Sequence, residues 1–520
     1  MLRFLTRRRP VSPHPVTPPS PAVPEPPPLP RGIPLGWAEH APGGYHPLTY
    51  THDQHLVTIG PTGSGKNTRA QTPALLDPRN PASALVIDVK GQLCALTTRQ
   101  RQALGHTVAV LNPYGVLGFP SARYNPLAHL DPAAPSFVSD CERLAEGLVE
   151  LRKGDHWELS ALDYVTLLLM WVVRFDTPKT LTRVWQLLGA DDATRQDLCL
   201  QMQACAYAPI AERAGRYTSD RGEVADSIQT ARAQCVVLGD PAIQALMQDG
   251  PGALRFANLK RRPLTIFLII PPELLHTRAK FLRLLVMAAL GELIREPTQP
   301  PDPVLLLLDE FAQLGPLPMI ENAAAIVRDY KLRLWIILQN LPQLQDLYGN
   351  RWESFLSSAG VVQVFTPNDM TTAGYFAKRA GQQPHWPRNI APLQAHISYS
   401  EQQQPLYTEQ DLLGLLPDKQ LLFHYGQARP QESWRFPYLP LGDVDPTAPY
   451  YQRYAGTYDP DPYHLDTAAR AAFVQQAPRG AWHLPCPAGR QEGVTRGCRR
   501  RGAQGAASRR PRRQPHTEGR

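Results

Sequence analysis

Cysteine is scarce, with seven residues (Cys94, Cys141, Cys199, Cys205, Cys235, Cys486 and Cys498) among 520. They form an odd set with no C-x-x-C pair and no histidine at zinc-finger spacing, which argues against a disulfide framework and against a structural zinc site. Long apolar runs are missing too. The longest, from Tyr164 to Val173, falls well short of the ~20 residues needed to cross a bilayer. The start, MLRFLTRRRP, meets proline where a secretory signal needs an apolar core, so no export signal is read. The expectation is a cytoplasmic chain, at most peripheral at the inner membrane, with no transmembrane segment.

A single-signed charge surplus is also absent from the body of the chain. The formal charge is +8, from 54 Lys and Arg against 46 Asp and Glu, but residues 496–520 hold nine Arg and one Glu. Without that tail the chain has 45 basic and 45 acidic residues, so its pI does not mark a basic nucleic-acid-binding fold. Any electrostatic grip on nucleic acid comes from local patches or from the tail.

Proline, by contrast, is abundant at 55 residues, eleven of them between 10 and 30. That density favours extended polyproline II and forbids helix, so residues 1–36 are read as a disordered arm. Residues 431–520, rich in Pro, Tyr and Gly and then Arg, are expected to hold little stable structure. Between the ends the chain is long enough for two or three folded units.

From His55 onward, short continuous apolar runs alternate with helical lengths: HLVTIG (55–60), ALVIDV (84–89), TVAVL (107–111), LTIFLII (264–270), PVLLLLDE (303–310), RLWIILQ (333–339) and VVQVFT (361–366). Such strands are buried on both faces of a parallel sheet, which gives an α/β core over 37–127 and 255–430. Residues 128–254 lack strand patterning. Their apolar positions recur at helical spacing, as in Trp157, Leu159, Leu162, Val165, Leu168, Leu169 and Val172, which predicts an inserted all-α domain with this stripe as its core.

The chemistry-bearing signal is VTIGPTGSGKNTRAQ. Gly60, Pro61, Thr62, Gly63, Ser64, Gly65 and Lys66 fit the phosphate-loop spacing G-x-x-x-x-G-K directly after a strand and before a helix. Small residues let backbone N–H groups and a helix N-terminus close around a β-phosphate, and Lys66 reaches the β and γ oxygens. The next position is Asn67, where a hydroxyl on Mg²⁺ is usual; its amide oxygen is the available substitute ligand, because Thr68 lies about 100° further round the helix. A second apolar strand ends in Asp309-Glu310. Asp309 is expected to hold the magnesium ion and Glu310 to act as general base, while Gln339, ending a third strand, is placed to sense a γ-phosphate. The cofactors implied are ATP and Mg²⁺.

The succession GPTGSGKN, VIDVKGQL, HTVAVLNPYG, RYNPL, LLLLDEFAQLGPLP and WIILQNLPQLQDLYG resembles the TraG-like type IV coupling proteins of conjugation and type IV secretion, as do AGVVQVFTPNDMTTAGYFAKRAGQ and PLYTEQDLLGLLPDKQLLFHYG. The similarity runs in order through residues 50–430. It implies a RecA-like P-loop NTPase core with an inserted helical domain, hexameric rings, and ATP-driven transfer of DNA, gripped without regard to sequence, or of a relaxase or other protein, to a secretion channel. It also implies that Arg328 completes a neighbouring subunit's site, and that His156 and Trp157 serve packing. Gln92 stands where such proteins tend to carry glutamate, and a proline-rich arm stands where they usually carry membrane helices. Two alternatives remain: a cytoplasmic double-stranded DNA translocase without a secretion partner, and a receptor that binds nucleotide without hydrolysing it.

Overall fold

The computed structural model describes residues 30–40, 44–151, 156–218, 222–250, 252–317, 319–320, 327–385, 388–390, 397–399, 401–441 and 444–476. Most of the proline-rich arm and the whole arginine-rich tail lie outside them.

The frame is an eleven-stranded sheet. Seven strands match the apolar runs of the sequence: β3 (His55–Ile59), β4 (Ala84–Ile87), β5 (Thr107–Leu111), β6 (Leu264–Leu268), β7 (Val304–Leu308), β8 (Leu332–Leu338) and β9 (Ala359–Val364). They pair in parallel in the order β9-β3-β8-β7-β4-β6-β5. Alternate residues face opposite sides, and both sides are dry. Val57, Ile59, Leu85 and Ile87 enter one core, while Leu56, Ala84 and Val86 enter the other. That double burial is why these strands read as unbroken apolar runs rather than as an alternating pattern.

Four further strands extend the sheet beyond β9. They are β1 (Ile33–His40) and β2 (Gly44–Tyr50) at the amino end, with β14 (Lys419–His424) and β15 (Gln431–Trp434) near the carboxyl end. All are antiparallel to their neighbours, in the order β2-β1-β15-β14-β9. Two small hairpins complete the strands: β10 (Gln382–His385) with β13 (Gln402–Pro405), and β11 (Arg388–Ile390) with β12 (Ile397–Tyr399).

Two expectations are corrected here. The arm does not extend to residue 36, because β1 begins at Ile33 and buries Ile33 and Leu35. The segment after Pro430 is structured up to Gln476. Trp434 pairs with Trp37, Tyr438, Tyr451 and Tyr454 are buried, and a helix closes at Gln476. Its prolines punctuate a strap whose aromatic rings find partners on distant parts of the sheet, which is information that composition does not carry.

On one face lie α1 (Thr72–Leu76), which continues a π-helical turn at Asn67–Gln71, and α2 (Gln92–Ala103). Between β5 and β6 the described residues form only helices: α3 (Phe137–Glu146), α4 (His156–Phe175), α5 (Leu181–Leu188), α6 (Asp192–Gln203), α7 (Ala208–Ala214), α8 (Gly222–Gln234), α9 (Pro241–Leu246), α10 (Asn258–Arg261) and short 3₁₀ turns. After β6, α11 (Pro272–Arg295) runs back along the sheet, sharing one core with the insertion. The apolar stripe of α4 is core from Val165 onward, but Trp157 and Leu159 are exposed (37% and 58%). His156 and Trp157 sit at the exposed start of α4 and pack on each other, ring edge against ring.

Candidate functional site

Parallel strands present their carboxyl ends along one edge, where the chain must leave the sheet, and that edge collects the chemistry. The phosphate loop leaves β3 there. Gly63 and Gly65 take φ of +80° and +85°, which L side chains rarely adopt. A Cβ at Gly60 would come within 2.8 Å of Phe365 and of Ser64 Oγ, so glycine is required there by space. The Lys66 ammonium folds back onto the loop, donating to the carbonyl oxygens of Gly60 at 2.5 Å and Pro61 at 3.1 Å. Ser64 Oγ is buried and has no hydrogen-bond partner, an orphaned polar atom inside the cradle. Pro61 is half-buried, Thr62 is exposed, and the Thr68 hydroxyl makes a long 3.5 Å contact to the Gly65 carbonyl while its own carbonyl accepts from the Tyr438 N–H at 3.1 Å.

β7 brings Asp309 and Glu310 to the same edge. Burial, and after it the neighbouring Glu310, raise Asp309 to about 6, while Lys66 and a hydrogen bond from the Gln71 side chain oppose the shift. Burial lowers Lys66, and the two carboxylates hold it up. Glu310 takes φ +50°, ψ +40°, a left-handed conformation held by its own N–H donating to Asp309 Oδ1 at 3.1 Å. Gln339, at the end of β8, donates from Nε2 to the Glu310 carboxylate at 3.0 and 3.3 Å. The expected base and the expected γ-phosphate sensor are thus in direct contact.

Arg328 is not part of this assembly. It is exposed, in a one-turn helix just before β8, at the amino-terminal end of strands whose carboxyl ends hold the site.

Sequence reasoning missed Asp88 and Arg435. Asp88 ends β4 as Asp309 ends β7, an acid after an apolar run, and that signal was available. It is buried and raised to about 7 by desolvation first, with the Asp309 charge adding and the Cys94 N–H at 2.8 Å opposing. Arg435 has no local signal, since it follows β15 and reaches the loop only through the fold. Its guanidinium donates to the Ser64 carbonyl at 2.5 Å and the Lys419 carbonyl at 3.0 Å and lies 3.8 Å over the Phe365 ring. Both ends of the Asn67 amide are engaged: Nδ2 donates to Gln92 Oε1 at 2.9 Å, and Oδ1 accepts from the Thr72 hydroxyl at 2.6 Å, which uses one of that oxygen's two lone pairs.

The residues present fit a nucleotide triphosphate with a divalent cation. A cradle lined by glycine, an orphaned hydroxyl, and a lysine bonded only to the loop's own carbonyls would accept phosphate oxygens. A carboxylate raised by desolvation and by another acid would gain from a cation.

The profile of the family described as Type IV secretory system Conjugative DNA transfer matches residues 35–436. The conjugal transfer protein TraG of Escherichia coli is 27% identical over 421 residues, covering 74% of this chain and 65% of TraG. The protein VirD4 of Agrobacterium fabrum is 28% identical over 382 residues, covering 69% of this chain and 55% of VirD4. The chain thus spans little more than half to two thirds of the length of these relatives. Among solved structures, the plasmid coupling protein TrwB with the non-hydrolysable ATP analogue ADPNP superposes with a TM-score of 0.57 at 16% identity, covering 76% of this chain and 88% of TrwB. TrwB has also been solved with ADP and Mg²⁺. The shared architecture is the RecA-like α/β core. Among the described residues no helix is long and apolar enough to cross a membrane.

Proposed function

The chain belongs to the type IV secretory system conjugative DNA transfer family, and from that premise we propose that it is an ATP-driven coupling protein bringing DNA, or a relaxase or other protein substrate, to a type IV secretion channel. The observation that carries the reading is the convergence of Lys66, Asp309 and the Glu310–Gln339 pair on one sheet edge beside a phosphate loop. TraG and VirD4 are named for conjugal transfer or match over most of this chain, and TrwB was captured with an ATP analogue on the same fold.

When bound, Mg²⁺-ATP supplies the phosphoryl group and the cation that offsets its charge. The loop amides and Ser64 Oγ bind phosphate, and Lys66 exchanges its contacts to the Gly60 and Pro61 carbonyls for phosphate oxygens. Asp309 holds the cation or a water of its shell, aided by the amide oxygen of Asn67. Glu310 takes a proton from the attacking water at its carboxylate, which Gln339 Nε2 orients. Arg328, at the opposite edge from its own chain's site, acts on the site of a neighbouring subunit in a homo-hexamer. Contacts with DNA go to phosphates and so ignore sequence.

Nucleotide binding and ATPase assays test the reading. Lys66→Ala loses binding, and Glu310→Gln keeps binding but not turnover. Rings mixing Arg328→Ala with Glu310→Gln subunits regain activity, because each supplies what the other lacks. Parent-rate hydrolysis by Glu310→Gln, or no nucleotide binding by the parent, overturns it.

A further inference from the structure

The residue after the phosphate-loop lysine is wired to the far end of the chain. Asn67 Nδ2 donates to Gln92 Oε1 at 2.9 Å, and Gln92 Nε2 donates in turn to Asp461 Oδ2. Asp461 belongs to the strap that follows β15, beyond residue 436, where the family match ends. Its side chain is 8% exposed, and the Tyr463 N–H donates to its other oxygen at 2.9 Å. His464 Nδ1 lies 3.3 Å from Oδ2. The strap is anchored on both sides of this point: the Tyr463 hydroxyl donates to the Lys90 carbonyl at 2.6 Å, and Arg99 of α2 donates to the carbonyls of Gly456 and Tyr458 at 3.0 and 2.8 Å.

A primary amide has two faces of opposite character, an oxygen that only accepts and an NH₂ that only donates, and nothing in its shape chooses between them. An ionised carboxylate only accepts. Asp461 therefore forces the NH₂ of Gln92 toward itself and the Gln92 oxygen toward Asn67. That oxygen forces the NH₂ of Asn67 toward Gln92 and leaves Asn67 Oδ1 on its other side. Thr72 cannot make this choice, because a hydroxyl donates to an oxygen or accepts from an NH₂ equally well. The π-helical turn at Asn67–Gln71 sets residues 67 and 72 together so that the hydroxyl meets whichever atom is presented. A cation beside the loop tolerates an amide oxygen and rejects an NH₂.

We propose that Asp461 is a positioning residue for the nucleotide site: through Gln92 it sets the amide of Asn67 with its oxygen available to the magnesium ion or its water shell. The two amides at 67 and 92 then act as one unit, and the strap supplies the acid that gives the unit its direction. This rests on the nucleotide-site reading above.

Two paired variants and a titration test it. Binding of the fluorescent analogue mant-ATP to the full chain is measured in Mg²⁺ and in EDTA, with melting curves alongside. Asp461→Asn, which can present either atom to Gln92, weakens binding in Mg²⁺ about tenfold, the worth of one charge-assisted hydrogen bond, and leaves binding in EDTA unchanged within about twofold. Gln92→Leu, which cuts the middle link with the strap carboxylate intact, gives the same magnesium-specific loss. The double variant Gln92→Glu/Asp461→Asn moves the acid one link inward: the 92–461 link reverses, position 461 now donating, but position 92 still accepts from the Asn67 NH₂, and the variant restores Mg²⁺-dependent binding that Asp461→Asn loses. Equal losses in Mg²⁺ and EDTA make Asp461 a brace and overturn the proposal. So does a double variant no better than Asp461→Asn. A parent chain that binds mant-ATP in neither condition fails the nucleotide-site reading itself, whereas a parent that binds normally beside indifferent variants fails only the relay.

Discussion

Glu310 is a non-glycine residue held at φ +50°, and that conformation can be weighed by comparing two variants that lose the same chemistry. Glu310→Ala and Glu310→Gly both delete the carboxylate, its contact with Gln339 and its repulsion of Asp309. Only glycine also relieves the backbone. A left-handed L residue costs about 1–2 kcal/mol, whereas glycine gives back about 0.4–1 kcal/mol through the entropy of its unfolded chain. The difference leaves Glu310→Gly more stable than Glu310→Ala by about 0.5–1 kcal/mol, or a degree or two in Tm for a chain of this size. The order is the reverse of that at an ordinary position, where alanine stabilises. Urea denaturation of nucleotide-free protein reads the difference, and on the proposed role of Glu310 as base turnover falls about 10²–10⁴-fold in both variants. An alanine variant as stable as the glycine variant refutes the argument, since residue 310 would then not be held in the left-handed region.

Arg435→Met leaves the Ser64 and Lys419 carbonyls without their donor and removes the cation from the Phe365 face; each unpaired carbonyl costs about 1–3 kcal/mol, partly offset by no longer burying a charge. Tm and nucleotide affinity fall together, and a variant that loses neither removes Arg435 from the site. His106 is buried among the Pro81 carbonyl, the Thr265 hydroxyl and Arg101, and burial, then the Arg101 charge, depress it to about 3. The unfolded chain therefore binds more protons between pH 6.5 and 3, so this group's contribution is present above 6.5 and is lost as pH falls; His106→Gln flattens that loss in melts taken from pH 7 to 4. Deleting residues 496–520 removes nine arginines and lowers the slope of DNA affinity against salt, with ATPase activity in the absence of DNA unchanged. An unchanged slope assigns the tail no DNA contact.

The seven parallel strands were legible because double burial writes them as continuous apolar runs, and the phosphate loop and Asp309-Glu310 because each is punctuated by such a run. The antiparallel extension was not. β1 and β2 (IPLGWAEH, GYHPLTY) interleave glycine and proline with polar residues, β2 being the sheet's edge, and they make sense only beside β15, almost 400 residues away. The same distance hid Arg435 from the phosphate loop. Trp157 and Leu159 show the opposite error: at the start of α4 the buried positions are Glu158 and Ala161, so the apolar stripe runs out of phase with the buried face there.

In the sequence Asn67 and Gln92 are two separate departures, one from the usual hydroxyl after the lysine and one from the usual glutamate. In the structure they are hydrogen-bonded to each other, and the strap brings Asp461 to the second of them. A hydroxyl after the lysine would be too short to reach Gln92, and an acid at position 92 would stand against Asp461. Each residue is therefore a poor choice alone and a consistent one with the other two, in the sense that buried polar groups are stable only as fully connected sets. The sequence separations, 25 residues from Asn67 to Gln92 and 369 from Gln92 to Asp461, explain why this consistency appears only once the chain is folded.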